Sequence, residues 1–370
     1  MTTETTSASP PERFRSSDKA ARRVLFAPAS GPVGTGEYYR CLSLARALIR
    51  REPSLELHVL LDRHARVARD PALIYHLLDA TPARQRKRVE TLIGQIRPAL
   101  AVFDSTGRNV HFRAVKRFGG RNVWISNRPG KRAKGFRPRL MRWLDLHLMV
   151  DADHDRADLK PLERLACRWF PNVGVESVSA IVAEPTAAVD CDTETSQPAP
   201  AVFVSGGGGY RLHGRPVPEI FLQAAVEYQR RSGCPAVVVL GPQYNSPAPV
   251  VTDVTVIPQL TTESLGALLG SARLIVAGAG NMLCSQALLA ARPCVMTAVG
   301  GTDQPARLAR YAEAGAVIAA RLDPDALAAA ALKIEGDESL AEQLSRAAEA
   351  VGLRNNTGRV ADLLLALLSS

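Results

Sequence analysis

The feature that most constrains this chain is a repeated alternation. A short apolar run ends in Gly, Pro, Ser or Asp, and a stretch with helical spacing follows. Val24-Leu25-Phe26-Ala27 is the first such run, and residues 39–50 follow it with Leu42, Ala45, Leu48 and Ile49 on one helical face. Further runs stand at 57–61, 100–103, 122–126 and 147–150, with a helical pattern over 89–96. Uninterrupted apolar runs suit strands buried on both faces, and parallel neighbours need a crossover, normally a helix. The pattern predicts an α/β fold with doubly wound, Rossmann-like parallel sheets.

Between residues 183 and 200 the periodicity lapses into Pro, Thr, Ala and acid, as in a linker. Alternation resumes at Ala201-Val202-Phe203-Val204, with strands at 235–240, 254–257, 274–277 and 293–298 and helices at 218–231, 265–271, 283–291 and 304–314. The expected organisation is a tail over 1–21, an α/β domain over 22–182, a linker over 183–200, a second α/β domain over 201–350 and a terminal helix over 351–370. A chain of 370 residues suits two domains of ordinary size. The stripe Leu363, Leu364, Leu367 and Leu368 is expected to pack on a core, with the first domain as a candidate.

An apolar content of 46% supports two cores, and with only 5% aromatics they must rest on Ala, Leu and Val. The formal charge of +10 suits an anionic ligand, or solubility alone. Much of it lies in residues 108–142, which hold 12 Lys and Arg and no acid. Residues 127–138 read as a loop on the cleft side of the strand before them. This stretch could meet an anionic acceptor or make peripheral contact with a membrane; a solvated basic face is the plain alternative, and nucleic acid is disfavoured. The six cysteines form no C-x-x-C pair and match no zinc spacing, which suits a reducing cytosol. No cofactor or metal is expected, and Asp151-Ala152-Asp153-His154-Asp155 reads better as a polar turn than as a metal site. The N-terminus lacks an apolar signal core, and residues 360–368 are too short to span a bilayer. A cytoplasmic protein is expected, peripheral at most on the inner face of the membrane.

Three breaks after predicted strands can carry chemistry, because ligands of open parallel sheets bind beyond the carboxyl ends of the strands. The first, residues 31–36, is Gly-rich and opens a helix, where backbone N–H groups favour an anion. It matches neither G-x-G-x-x-G nor a Walker A loop, and packing alone would also explain it. The second is Ser205 followed by Gly206, Gly207, Gly208 and Gly209. Four glycines carry a large unfolded-state entropy, which a phosphate cradle of bare N–H groups would explain; a flexible loop is the alternative. The third pairs Gly278-Ala279-Gly280-Asn281, with Ser285 and Gln286 beyond, with Gly300-Gly301-Thr302-Asp303-Gln304. Asn281 and Asp303 are also ordinary N-cap types.

From Gly278 to Ala316 the chain resembles the C-terminal donor-binding motif of GT-B glycosyltransferases. Gln286 stands seven residues before Pro293, Asp303-Gln304 follow, and Ala314-Gly315-Ala316 closes the run. The family carries a Glu at the position of Gln286, where it holds the donor ribose; Gln286 keeps hydrogen-bonding capacity without charge. Residues 34–45 are similar to a G-x-G-H-x-x-R-C-L-x-L-A stretch of the UDP-sugar hydrolase of pseudaminic acid synthesis and of spore-coat polysaccharide glycosyltransferases, with Glu37 in place of the His. Val102-Phe103-Asp104-Ser105 fits the same group, and the peptidoglycan N-acetylglucosaminyltransferase is a more distant match.

The resemblance implies two Rossmann-like domains facing a cleft. It implies a donor site of Ser205, Gly206, Gly207, Gly208, Gly278, Gly280, Asn281, Ser285, Gln286, Asp303 and Gln304. On the acceptor side Glu37 is the expected general base, with Asp104 second. Gly34, Gly36, Arg40, Arg128, Lys131 and Arg132 are expected to bind acceptor or anion. The expected partners are a nucleotide-diphosphate sugar, such as a UDP-sugar, and a glycan or lipid-linked acceptor in polysaccharide synthesis. The expected transfer is inverting and metal-independent. Two other outcomes stay open: a nucleotide-sugar hydrolase, and a non-catalytic binding protein of the same fold.

Overall fold

The computed structural model describes residues 22–32, 34–150, 159–185, 198–207 and 209–369. The predicted tail, most of the linker and the 151–155 cluster lie outside the described residues.

Seven parallel strands form the first sheet: β1 (Arg23–Pro28), β2 (Glu56–Asp62), β3 (Ile74–Leu78), β4 (Leu100–Asp104), β5 (Arg121–Ser126), β6 (Leu146–Val150) and β7 (Gly174–Val178). Their order across the sheet is β3-β2-β1-β4-β5-β6-β7. Val24, Leu25, Phe26 and Ala27 of β1 are fully buried, because helices cover both faces. On one face, Leu44, Ala45 and Leu48 of α1 (Gly36–Arg51) join Val24, Phe26 and Val102. On the other, α2 (Arg86–Ile96) and α3 (Asn109–Arg117) bring Val89, Ile93, Phe112 and Val115 onto Leu25, Ala27 and Phe103.

β3 and β7 are absent from the sequence reading for a physical reason. Both are edge strands with half-exposed faces, so Ile74–Leu78 and Gly174–Val178 carry no continuous buried run. The loop expected over 127–138 is a correction. It holds α4 (Pro129–Gly135) and the first residue of α5 (Pro138–Met141), each opened by a Pro at its first helical position. α4 lies on His147 so closely that a Cβ on Gly135 would stand 2.2 Å from the ring. α6 (Pro161–Trp169) completes the crossover from β6 to β7.

The second sheet is also parallel. It holds β8 (Ala201–Val204), β11 (Ala236–Val239), β12 (Val254–Ile257), β13 (Leu274–Gly278), β14 (Cys294–Thr297) and β15 (Ile318–Ala319), in the order β12-β11-β8-β13-β14-β15. A small hairpin, β9 (Arg211–Leu212) and β10 (Arg215–Pro216), stands outside it. α7 (Val217–Ser232) and α11 (Pro324–Glu335) cover one face with Phe221, Tyr228, Leu327 and Ile334. α8 (Thr262–Ser271), α9 (Asn281–Leu289), α10 (Gln304–Glu313) and α12 (Glu338–Ala350) contribute to the other through Leu269, Cys284, Ala287, Tyr311 and Ala348.

The chain then returns to the first sheet. Ala180 and Asn355 form a parallel bridge, and α13 (Thr357–Ser369) sets Val360, Ala361 and Leu364 among the α1 core residues. Among the described residues no helix is long and apolar enough to cross a membrane.

Candidate functional site

Each sheet has one place where its strand order reverses. In the first sheet, β1 is flanked by β2 and β4; in the second, β8 is flanked by β11 and β13. Crossovers leave to opposite sides there, which opens a crevice beyond the carboxyl ends of the strands. The two crevices share one cavity of about 510 Å³, lined by residues of both halves.

On the second-sheet side, glycines at the neighbouring strand ends hem in the loop after β8. A Cβ on Gly278 would stand 2.4 Å from the Ser205 carbonyl oxygen, and one on Gly241 would stand 2.4 Å from that of Gly206. Gly206 itself holds φ +107°, which suits only glycine. Ser205, Gly206 and Gly207 line the cavity, and the Ser205 hydroxyl is buried without a hydrogen-bond partner among the described residues. Gly208 lies outside the described residues. Gly278→Ala is expected to force this loop out of place and destabilise the protein by about 1–3 kcal/mol. A thermal midpoint equal to that of the parent would show that the loop yields freely.

The start of α9 presents Gly280, Asn281 and Met282 to the cavity, with the first-turn N–H groups that no helical carbonyl pairs. Ser285 turns away and donates to the Asn281 carbonyl at 3.0 Å. Neither Ser285 nor Gly278 lines the cavity; Gly278 serves by permitting the close approach of the strands. Gln286 does line it, and its Nε2 donates to the Thr262 carbonyl at 3.1 Å, tying α9 to the start of α8.

The loop after β14 is held by its own glutamine. Gln304 Oε1 accepts from the N–H groups of Val299 at 2.8 Å and Gly300 at 3.3 Å. A Cβ on Gly300 would strike the Tyr210 ring at 2.4 Å, so this glycine lets the ring lie on the loop. Asp303 does not cap α10; it accepts from Arg307 Nη2 at 2.6 Å, while Arg307 Nη1 donates to the Ala279 carbonyl at 2.9 Å. Burial would raise the Asp303 carboxyl, but Arg307 outweighs it and holds that group below its ordinary value. Arg307 is thus a nearly buried cation on the cavity wall, with its side chain 9% exposed. Sequence reasoning missed it, although the Asp303–Arg307 spacing is that of a helical ion pair.

On the first-sheet side, Gly34, Gly36, Glu37, Arg40 and Arg128 line the cavity. Glu37 stands in the first turn of α1, where a carboxylate is favoured, and accepts from Arg128 Nη2 at 2.9 Å. Arg40 spends its guanidinium on Asp104, donating at 2.7 and 2.8 Å to its two oxygens. Asp104, the second expected base, is fully buried and does not line the cavity. Lys131 and Arg132 do not line it either. Lys131 donates to the Ser105 carbonyl at 2.5 Å, and Arg132 is turned inward onto Glu163 at 2.6 and 2.9 Å. Burial and then the Arg128 charge hold the Lys131 ammonium below its ordinary value.

The two halves are joined near this cavity by Arg46 of α1, which donates to Asp70 at 2.7 Å and to Glu263 of α8. A buried cation, a helix start and a glycine-lined loop on one wall suit a phosphate-bearing ligand. A carboxylate held on the opposite wall can accept a proton.

No family model matches this chain, and no curated protein matches it in sequence. Solved structures match it along nearly its whole length. The spinosyn forosaminyltransferase SpnP is 15% identical with a TM-score of 0.65, covering 95% of this chain and 100% of that one. UGT2 of Phytolacca americana, complexed with UDP-2-fluoro-glucose and pterostilbene, is 11% identical with a TM-score of 0.62, covering 95% and 100%. MurG of Acinetobacter baumannii is 14% identical with a TM-score of 0.56, covering 94% and 99%. The likeness establishes the fold: two parallel-sheet domains in the GT-B arrangement.

Proposed function

We propose that this protein is a glycosyltransferase that moves a sugar from a nucleotide-diphosphate sugar to an acceptor hydroxyl, in glycan or cell-surface polysaccharide synthesis. The observation that carries this reading is the convergence of Ser205, Gly206, Gly207, the α9 start and Arg307 on one wall, opposite Glu37 on the other. The diphosphate lies against the first wall, with Gln286 toward the ribose and Asp303 and Gln304 toward the sugar. The acceptor enters from the side of Gly34, Gly36 and Arg128.

The acceptor oxygen attacks the anomeric carbon from the face opposite the diphosphate. The bond between that carbon and the diphosphate oxygen breaks, and the acceptor proton passes to Glu37. One displacement inverts the anomeric centre. Backbone N–H groups and Arg307 take up the charge on the departing diphosphate, so the reading assigns no step to a metal ion. Asp104 acts at a distance, by fixing Arg40 beneath Glu37. SpnP and UGT2 carry transferase names or a sugar-nucleotide ligand, which supports the reading.

The test is a thermal-shift series with UDP, GDP, TDP and their sugars. One nucleotide is expected to stabilise the protein, by about 2.7 kcal/mol at a hundredfold excess over its Kd. No shift with any of them at millimolar concentration would overturn the donor site. Release of free sugar at full rate without an acceptor would make the protein a hydrolase instead.

A further inference from the structure

The crossover helix α6 shows solvent a surface that a packed helix normally hides. Its inward face is Glu163 and Ala166, and Ala166 packs with Phe136, Met141 and Met149. Its outward face carries Leu162, Leu165 and Trp169, which are 80%, 40% and 62% exposed. The spacing i, i+3, i+7 gathers them into one stripe. Single exposed apolar side chains are ordinary, but three large ones in one stripe mark an interaction site.

Charge completes the pattern. Arg164 and Arg168 are exposed beside the stripe, and neither has an ion-pair partner among the described residues. Arg139 and Arg142 are exposed on the neighbouring segment, which reaches α6 through Met141. Residues 129–142 contain no acid, and the single acid of α6, Glu163, is turned inward onto Arg132. Among the described residues this face therefore offers apolar groups and cations with no exposed carboxylate of its own.

We infer that α6 docks this protein on an anionic lipid surface, with Leu162, Leu165 and Trp169 in the acyl boundary and the arginines at the headgroups. A short helix with Leu and Trp on one stripe and Arg beside it suits that boundary. Trp is favoured where one side is apolar and the other wet. A nucleic acid would use the arginines and leave the leucines exposed, so it explains half of the surface. Three apolar side chains give reversible binding, strengthened by negative lipid and weakened by salt. The inference does not depend on sugar transfer.

The experiment is co-sedimentation of the full chain with vesicles of phosphatidylcholine alone or mixed with phosphatidylglycerol. Binding is expected to rise with phosphatidylglycerol and to fall sharply in ~0.5 M NaCl, where the Debye length is short. The triple variant Leu162→Ser, Leu165→Ser, Trp169→Ser is expected to lose about tenfold or more in partitioning, with its thermal midpoint unchanged. Arg164→Glu with Arg168→Glu is expected to lose a similar factor. The protein has three tryptophans, and Trp124 is fully buried. Vesicles should therefore shift the emission to the blue, and Trp169→Phe should abolish most of that shift. Absence of binding to the mixed vesicles would overturn the inference. So would full binding by the triple variant, or binding of a single-stranded oligonucleotide but not of vesicles.

Discussion

Glu37→Gln is expected to lower turnover by about 10²–10⁴-fold while leaving nucleotide binding intact. The substitution keeps size and keeps an oxygen that can accept from Arg128, now 2.9 Å from Glu37 Oε1. What it removes is the group proposed to receive the acceptor proton. Glu37 lies on the first-sheet wall and the proposed phosphate-binding features on the other, so the two properties should separate. The measurement pairs kcat with the thermal shift produced by the preferred nucleotide. Full turnover in the variant would remove Glu37 from the chemistry. A parallel loss of nucleotide binding would mean that the carboxylate shapes the cavity instead. The result is independent of the acceptor, because a hydrolase would need the same proton acceptor for water.

The fold was legible wherever a strand is buried on both faces. Val24-Leu25-Phe26-Ala27 and Ala201-Val202-Phe203-Val204 are continuous apolar runs because helices cover both sides of each sheet. The edge strands β3 and β7 lack that cover, and their sequences lack that pattern. The loops of the cavity were legible for a related reason. Glycines at or after a strand end stand where a neighbour must approach the backbone closely, and Gly241, Gly278 and Gly300 do so here, although Gly241 drew no notice in the sequence.

Side-chain partners were much less legible. Arg128 and Arg132 look equivalent four residues apart, yet α4 turns Arg132 onto Glu163 and leaves Arg128 at the cavity. Arg307 reads as half of a surface ion pair until the fold brings the Ala279 carbonyl to it. Pattern reports which residues are buried. It does not report which distant residue completes a charge, and that choice decides whether a polar side chain serves the ligand or the protein.

Arg40 and Asp104 show this most clearly, and Asp104→Asn is expected to destabilise the protein by about 3–5 kcal/mol. Their side chains are 4% and 0% exposed and meet at 2.7 Å. Burial works against the Arg40 charge, but Asp104 more than offsets it and holds the guanidinium above its ordinary value. Removal of the carboxylate charge leaves that cation buried without compensation. Replacing both, with Arg40→Met and Asp104→Leu, removes the problem and should cost far less than the single change. Urea unfolding of the parent, Arg40→Met, Asp104→Leu and the double variant measures the coupling. A loss in the double variant equal to the sum of the two single losses would show that the two charges do not act as a unit. Asp104 does not line the cavity, so its variant, assayed cold and folded, should still bind nucleotide. A variant of parental stability that had lost its turnover would instead return Asp104 to the chemistry. That outcome would require the α1 start to move away from β4 during the reaction and expose the carboxylate.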